Sequence, residues 1–390
     1  MAKQIISSTS RLITHRRSVR IGWAAVVVCF ALVANHYQSP LPVAAAAEAP
    51  SSTPPHVTRW LSKLAKYVHF RAGKVSCTGT MDGQGPPSEA TLAQWEKQYS
   101  PSAWSVRFAT PAEVINFHVK FVKEESDRNK QLFDTTLDVA YGSGDRDKVD
   151  IYGENLPADA PLFVYIHGGY WQMLEKETSA YAVKPLVERG VRVMIVGYEL
   201  CPEVTLEELV RQIKVASEFV LNYATENGVK HVSIAGHSAG AHLIASMLDQ
   251  LFQSAVGEEL LLLKDVYLIS GVYDVQELRY TNSVNRDNLL AINDQNAKRL
   301  SPLLASYDHL RSVSEQGALK FHVYVAQHDS DVFREMSSKM YDRLRSFGLS
   351  CDLHVLPNLD HFDIVEQLAS SDYTITSAIL AGVAREQNTA

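Results

Sequence analysis

The sequence is poor in cysteine, and the few cysteines it has form no pattern. Cys29, Cys77, Cys201 and Cys351 are scattered widely along 390 residues. A disulfide framework or a zinc-binding motif would need cysteines at short, regular spacings, often interleaved with histidine. The sequence therefore predicts free thiols and excludes both a disulfide-stapled scaffold and a zinc-finger type of module.

Clustered positive charge is also missing from the body of the chain. The 37 Lys and Arg residues are outnumbered by 44 Asp and Glu residues, which gives a formal net charge of -7. Nucleic-acid binding needs basic residues concentrated on one face, so we expect no nucleic-acid partner. A hydrophobic content of 46% and a charged content of 21% are typical of a soluble globular protein.

The amino-terminal segment has an apolar run that is short for a membrane-spanning helix. Basic residues precede the run Ile21–Ala34, and no acidic residue appears before Glu48. A spanning helix needs about 20 apolar residues, whereas a shorter run after basic residues is typical of a signal peptide. We expect residues 1–47 to be a leader that acts as a secretory signal or membrane anchor, with an organelle transit peptide as the alternative. Residues 48–90 are then a linker and extension.

From about residue 91 the sequence alternates between short apolar runs and segments with helical periodicity. Buried parallel strands are continuous apolar runs, and the amphipathic segments between them predict helices covering both faces of the sheet. Residues 91–390 are therefore expected to form one α/β domain of the α/β-hydrolase type, with a mostly parallel central sheet. The predicted strands are 135–141, 148–152, 162–166, 191–196, 232–235, 266–270, 321–326 and 353–356, and the predicted helices are 91–99, 111–126, 206–224, 239–252 and 374–384.

A Gly-x-Ser-x-Gly motif lies between a predicted strand and a predicted helix. Gly236-His237-Ser238-Ala239-Gly240 follows the apolar run Val232–Ala235 directly. In such a nucleophile elbow the serine occupies a strained turn, and glycine is required two residues away on either side. The helix that follows presents free N–H groups and the positive end of its dipole to developing negative charge. The sequence predicts Ser238 as a nucleophile.

A glycine pair follows the neighbouring strand and predicts an oxyanion hole. His167-Gly168-Gly169-Tyr170-Trp171 comes directly after the apolar run Leu162–Ile166. Backbone N–H groups near Gly168 and Gly169, with that of Ala239, are the expected donors to a tetrahedral intermediate. His167 itself is interpreted as structural rather than catalytic.

The order serine, acid, histidine that this fold uses points to two further residues. Asp329 stands just past the apolar run Phe321–Ala326, and His361 follows the run Leu353–Leu356. These positions suit an acid that orients an imidazole and an imidazole that takes the serine proton. The sequence leaves alternatives open for the acid, because Asp331 and Asp274 also follow strands, whereas the nearby His354 falls within a strand and is interpreted as structural.

With these residues identified, the chain resembles the kynurenine formamidase (arylformamidase) family over about residues 91–384. The joined motifs HGGYW and GHSAGAHL are typical of this family or of its close esterase neighbours, and an upstream EKQYSPS segment narrows the match. The segments that carry the resemblance are Glu96–Ser102, Lys148–Tyr152, His167–Gln172, Gly236–Leu243, Ser270–Asp274 and Asp360–Phe362.

The resemblance implies hydrolysis of N-formyl-L-kynurenine to L-kynurenine and formate, a step of tryptophan catabolism, with no metal or organic cofactor. It makes Ser238, Asp329 and His361 the catalytic triad and implies a small-molecule substrate, an N-formyl aryl amine. A homodimer is one option for the oligomeric state, which the sequence leaves open. Tyr170 and Trp171 are expected to wall an arene-sized pocket, with plain packing as the alternative. The family is usually cytosolic, which is the alternative to an anchored or secretory location.

Two other functions use the same fold and stay open at this point. A carboxylesterase acting on aryl or short acyl esters would need the same machinery. A hydrolase-fold protein without activity, used for adhesion or binding, would be expected to lack the serine or the histidine, and both are present here.

Overall fold

The structure, a computed structural model, describes residues 87–254 and 258–387. The predicted leader, and all but the last four residues of the predicted extension, lie outside these ranges, so the domain boundaries stay predictions. Within the described ranges, no helix combines the length and the apolar character that crossing a membrane requires.

Eight strands form one sheet in the order β1-β2-β4-β3-β5-β6-β7-β8. The first two strands are antiparallel to their neighbours, and the six from β4 to β8 in this order are mutually parallel. The strands are β1 Thr135–Ala140, β2 Lys148–Tyr152, β3 Leu162–Ile166, β4 Arg192–Val196, β5 Val232–His237, β6 Leu263–Ile269, β7 Lys320–Ala326 and β8 Ser350–Leu356. The predicted mostly parallel sheet is confirmed.

Ten α-helices accompany these strands in the described part of the chain. They are α1 Glu89–Gln98, α2 Pro111–Leu132, α3 Val183–Val187, α4 Leu206–Asn227, α5 Ala239–Ser254, α6 Asn282–Asn285, α7 Leu310–Gly317, α8 Asp331–Ser346, α9 Asp363–Glu366 and α10 Thr374–Gln387. Short 3-10 turns lie at Pro101–Ala103, Lys176–Thr178, Glu258–Leu262, Leu278–Tyr280, Arg286–Asn288, Pro302–Leu304 and Gln367–Ala369.

The sheet is buried on both faces, as its continuous apolar strands predict. Alternate residues of β3 point to opposite faces: Val164 belongs to a core shared with α4, α5 and α8, whereas Phe163 belongs to a second core shared with α3 and α10. Helices on both faces of a parallel sheet place its carboxyl-terminal edge in reach of solvent. The segments that carry the predicted site residues all begin at that edge.

Candidate active site

Ser238 lies in the tight turn between β5 and α5. Its φ is +52°, in the left-handed region that costs a non-glycine residue free energy, and its N–H donates a hydrogen bond of 2.9 Å to the carbonyl oxygen of Ile269 on β6. This bond ties the turn to the neighbouring strand and holds the strained conformation. The side chain is 3% exposed, so the hydroxyl stands in a largely water-excluded position.

The two glycines that flank the serine are required by close backbone approach. A Cβ added to Gly240 would lie 2.2 Å from the carbonyl oxygen of Ile166, and one added to Gly236 would lie 2.6 Å from the carbonyl carbon of Gly240. No side chain fits at either distance. The strand-turn-helix geometry therefore depends on glycine at both positions, for the reason the sequence motif suggests.

His361 and Asp329 form a direct ion-pair-type contact. The Nδ1–H of His361 donates to Asp329 Oδ1 at 2.6 Å. The second carboxylate oxygen of Asp329 accepts from Ser270 Oγ at 2.6 Å and from the backbone N–H of Ala326 at 3.0 Å. Because every contact fixes the carboxylate, the imidazole is oriented with Nδ1 occupied and Nε2 left for proton exchange.

The residue before the serine connects the elbow to the histidine loop. His237 Nε2–H donates to the carbonyl oxygen of His361 at 2.9 Å, and the two rings lie 4.7 Å apart. Ser238 Oγ itself forms no hydrogen bond with His361 Nε2. Catalytic hydrogen bonds are often long or poorly aligned without substrate and tighten in the Michaelis complex. The contact of His237 with the His361 backbone ties the turn of Ser238 to the histidine loop.

The competing acids contact other groups. Asp331 starts α8 with a side chain that is 60% exposed and forms an ion pair with Arg334. Asp274 caps a local turn by accepting hydrogen bonds from the backbone N–H of Gln276 at 2.9 Å and from Ser301 Oγ at 3.1 Å. Of the three aspartates weighed in the sequence, the structure brings only Asp329 to His361.

The glycine loop after β3 packs directly against the elbow. A Cβ added to Gly168 would lie 3.2 Å from Ser238 Cβ, and Gly169 has a φ of +105°. The N–H groups of Gly168, Gly169 and Ala239 donate no hydrogen bond to a described residue. Unpaired donors beside a nucleophile are what an oxyanion hole requires.

Comparisons with known proteins place the chain in a family. A family model for the α/β-hydrolase fold matches residues 163–363. A kynurenine formamidase from Drosophila melanogaster is 36% identical over 287 residues, which cover 72% of this chain and 94% of that protein. One from Salmo salar is 38% identical over 73% of this chain and 94% of its own length. The chain belongs to the kynurenine formamidase family.

A solved structure supports the fold of this family member independently. A proposed thioesterase from a Silicibacter species superposes with a TM-score of 0.59 at 25% identity, over 73% of this chain and 98% of that one. The recognition made from the sequence motifs, and the hydrolase fold that it implies, are therefore confirmed.

Tyr170 and Trp171, the predicted pocket walls of this formamidase-family chain, occupy different environments. The Tyr170 hydroxyl donates to the carbonyl oxygen of Tyr99 at 2.8 Å, and its side chain is partly exposed. Trp171 is fully buried, edge-on to His242 at a ring distance of 4.8 Å. The position of Trp171 fits the packing alternative, because the structure brings no part of its indole to an accessible surface. A role for Tyr170 at the substrate stays a prediction.

Three other buried histidines surround the site, and burial lowers the pKa of each of them. Burial lowers the pKa of His167 and of His242 to about 4. Burial, together with the charge of His361, holds the pKa of His237 well below its ordinary value. Of these four histidines, His361 is the one that contacts Asp329.

The EKQYS part of the family segment contacts three loops around the site. The Glu96 carboxylate accepts hydrogen bonds from backbone N–H groups at the start of α6. Gln98 Oε1 accepts from the N–H of Val332, just after the acid loop, at 3.2 Å. The carbonyl oxygen of Tyr99 accepts the hydrogen bond from the Tyr170 hydroxyl in the glycine loop. The segment upstream of the sheet therefore fixes the relative positions of the loops that form the site.

A buried charge network, which the sequence interpretation missed, holds the histidine loop. Arg107 Nε and Nη2 contact the two oxygens of Asp360 at 2.7 and 3.1 Å, and Nη1 contacts Glu366 at 2.8 Å. His118 Nδ1 also contacts Glu366, at 2.9 Å. Asp360 directly precedes His361, so a guanidinium from the segment before the sheet holds the loop that carries the histidine. Only the presence of Asp360 beside His361 hinted at this network in the sequence.

Proposed function

We propose that this chain hydrolyses N-formyl-L-kynurenine to L-kynurenine and formate, with Ser238, His361 and Asp329 as its triad. The observation that carries the proposal is the 2.6 Å contact between His361 and Asp329, at the rim where the strained serine turn lies, in a chain of the kynurenine formamidase family. Such a reaction needs a nucleophile, an oriented imidazole and oxyanion donors, and no cofactor.

In the first half of the reaction, Ser238 Oγ attacks the formyl carbon while His361 Nε2 takes the hydroxyl proton. The resulting oxyanion is stabilised by N–H groups of Gly169 and Ala239, whose loss would cost about 10²–10³ in rate per donor. Asp329 stabilises the imidazolium that forms, without itself becoming protonated. The C–N bond then breaks, and His361 delivers its proton to the departing aniline nitrogen.

In the second half, water replaces the aniline product. His361 Nε2, again neutral, takes a proton from this water as its oxygen attacks the formyl carbon of the ester on Ser238. The second tetrahedral intermediate uses the same N–H groups. It releases formate, and the proton on His361 returns to the serine oxygen.

Formate release from N-formyl-L-kynurenine tests the proposal. Wild type is expected to turn the substrate over, and Ser238→Ala to lose about 10⁴-fold or more in kcat, as triad removal does. Ser312→Ala, an exposed serine on α7, is the matched control and is expected to match wild type. A fluorophosphonate probe is expected to label wild type and Ser312→Ala but not Ser238→Ala.

Ester cleavage separates the formamidase from a carboxylesterase, because the same groups would serve both reactions. Turnover of p-nitrophenyl acetate is measured beside that of the formamide on the same protein. Brisk ester cleavage with formamide turnover at the level of Ser238→Ala would overturn the proposed substrate and leave the hydrolase assignment standing.

We further propose that residues 1–47 direct the enzyme to a membrane or the secretory pathway, and that residues 91–390 form the catalytic domain. The support is the basic segment followed by the apolar run Ile21–Ala34. Microscopy of the full chain against a version beginning at Ser51 tests this, because both versions in the cytosol would contradict it. Homodimerisation stays a prediction that light scattering on the version from Ser51 would test.

A further inference from the structure

Three side chains with metal-ligating groups lie together on one face of the β7–β8 strand pair, away from the candidate active site. His322 is paired in register with Asp352, and His354 is two residues further along β8, on the same face. One ligating atom from each of the three lies within 4.8 Å of the others. His322 precedes the end of β7 by four residues, or about 13 Å of strand. The cluster is therefore separate from the triad.

His322 is held as metal-ligating histidines usually are. Its Nε2–H donates to Asp265 Oδ1 at 2.7 Å, and its ring stacks on Tyr267 at 4.6 Å with an interplanar angle of 9°. Metal-bound histidines commonly donate their second ring nitrogen to a carboxylate, which fixes both tautomer and orientation. With Nε2 bound to Asp265, Nδ1 of His322 is the nitrogen left to accept a ligand.

The other two members are accessible for coordination. His354 is half-buried, stacks on Tyr324 at 4.7 Å, and hydrogen bonds to no described residue. Asp352 is also half-buried, and its carboxylate forms an ion pair with Lys320 Nζ at 2.6 Å. An ammonium thus occupies the carboxylate that a metal ion would use, and the two cations would compete for it.

We propose that His322, Asp352 and His354 form a binding site for a divalent transition metal, with zinc as the best-suited ion. Two imidazoles, one carboxylate and an open fourth position match the ligand preferences of Zn²⁺. Ligands bound at about 2.0–2.2 Å would lie about 3.3–3.6 Å apart, so the cluster contracts by side-chain rotation when the ion enters. The ion links the edge strand β8 to β7 and stabilises the end of the sheet.

Zinc binding to the untagged full chain tests the proposal by equilibrium dialysis and by thermal unfolding. Wild type is expected to bind one zinc ion, and His354→Ala is expected to bind it at least 10–100-fold more weakly. Loss of a residue that merely hydrogen bonds to a metal ligand already costs about that much affinity. Excess zinc is expected to raise the Tm of wild type and not of His354→Ala. His309→Ala, another half-buried histidine outside the cluster, is the matched control and is expected to bind as wild type does.

Lys320→Gln supplies a result that a purely structural role of these residues would not produce. Removal of the competing ammonium is expected to tighten zinc binding, whereas loss of a merely structural ion pair would leave the affinity unchanged or weaken it. Circular dichroism of each variant establishes that it is folded. The proposal is overturned if wild type binds no zinc, or if the bound zinc survives His354→Ala in a folded protein.

Discussion

Removing the guanidinium of Arg107 would test how this enzyme holds its histidine. Arg107 is 22% exposed, whereas its partners Asp360 and Glu366 have side chains that are 0% and 5% exposed. Arg107→Ala would therefore leave these two buried carboxylates, and that of Asp363 at 3.5 Å from Arg107 Nε, without the guanidinium. We expect Arg107 to act on catalysis through Asp360, as a positioning residue.

The expected loss of stability is large because breaking a buried ion pair typically costs about 3–5 kcal/mol. We expect Arg107→Ala near the lower end, about 3 kcal/mol, since water reaches part of the arginine. Arg107→Lys is expected to lose about 1–2 kcal/mol, because one ammonium cannot replace the bidentate contact and also reach Glu366.

The deficit is expected to depend on pH. Burial alone would raise the pKa of Asp360, but hydrogen bonds from Arg107 and Ser105 hold it below its usual range. In wild type the stability contributed by this lowered pKa is complete above the unfolded value of about 4 and is lost only below it. In Arg107→Ala, burial raises the pKa of Asp360, so the variant regains stability as this carboxylate takes up a proton between pH 8 and pH 4. The difference between wild type and Arg107→Ala should therefore shrink as the pH is lowered from 8 towards 4.

Urea unfolding at pH 8 and pH 5, combined with kinetics on N-formyl-L-kynurenine, measures these effects. Under conditions where the variant is folded, kcat is expected to fall while KM stays near wild type, because the misplaced group is His361. Arg128→Ala is the control, since Arg128 is an exposed helix residue paired with Glu125, and it should change stability by less than about 0.5 kcal/mol. If Arg107→Ala behaved like this control in both measurements, the reasoning would be refuted.

Three further predictions follow from the same geometry. Asp329→Asn is expected to lower kcat by about 10³–10⁴-fold through the wrong histidine tautomer, whereas Asp331→Asn should change it by less than about tenfold; equal losses would contradict the assignment of the acid. Gly240→Ala should lower the free energy of unfolding in urea by about 3 kcal/mol or more, because the new Cβ would lie 2.2 Å from a backbone oxygen of β3, and a wild-type value would exclude that contact. Burial and the charge of Asp360 raise the pKa of Asp363, so the ionised Asp363 lowers wild-type stability as the pH rises above about 4. Asp363→Asn should therefore be more stable than wild type at pH 8 but not at pH 4. The opposite trend in urea unfolding would contradict this prediction.

The sheet and the motif positions could be predicted because each rests on local sequence. The strand β3 begins and ends at the residues that its apolar run predicts, since a strand buried on both faces is apolar throughout. The turn containing Ser238 was recognisable for a similar reason. Close backbone approach requires glycine on both sides of the serine, and the whole motif spans only five residues. Burial and steric requirements that act between neighbouring residues can thus be inferred from a single sequence.

Five helices, α3, α6, α7, α8 and α9, were not predicted, and the longest of them, α8, was missed although its signal is present. The helix α8 spans Asp331–Ser346 and buries Phe333, Met336, Met340 and Leu344, which recur at helical spacing after the N-cap Ser330. Its exposed face is strongly polar, so the apolar positions form a narrow stripe that does not stand out along the sequence.

The support of His361 could not be predicted, because it depends on distance in space alone. Arg107 and Asp360 are 253 residues apart in sequence, and no local sequence pattern marks Arg107 as the partner of Asp360. The same holds for Gln98, which contacts Val332 across 234 residues. Contacts between residues so far apart in sequence can be identified only from the folded structure, in which the sheet brings the carboxyl ends of several strands to one edge.

The residues that carry the proposed chemistry and the residues that position them come from different parts of the chain. The turn of Ser238 and the pair of His361 with Asp329 are built from the sheet and its loops, the part that the α/β-hydrolase fold model matches. Arg107 and the segment Glu96–Tyr99 come from outside that part, yet they fix the histidine loop, the oxyanion loop and the start of α8. We infer that changes before residue 111 would act on the rate through the positions of these loops, as expected for Arg107→Ala, because these residues set the distances between loops and supply none of the reacting atoms.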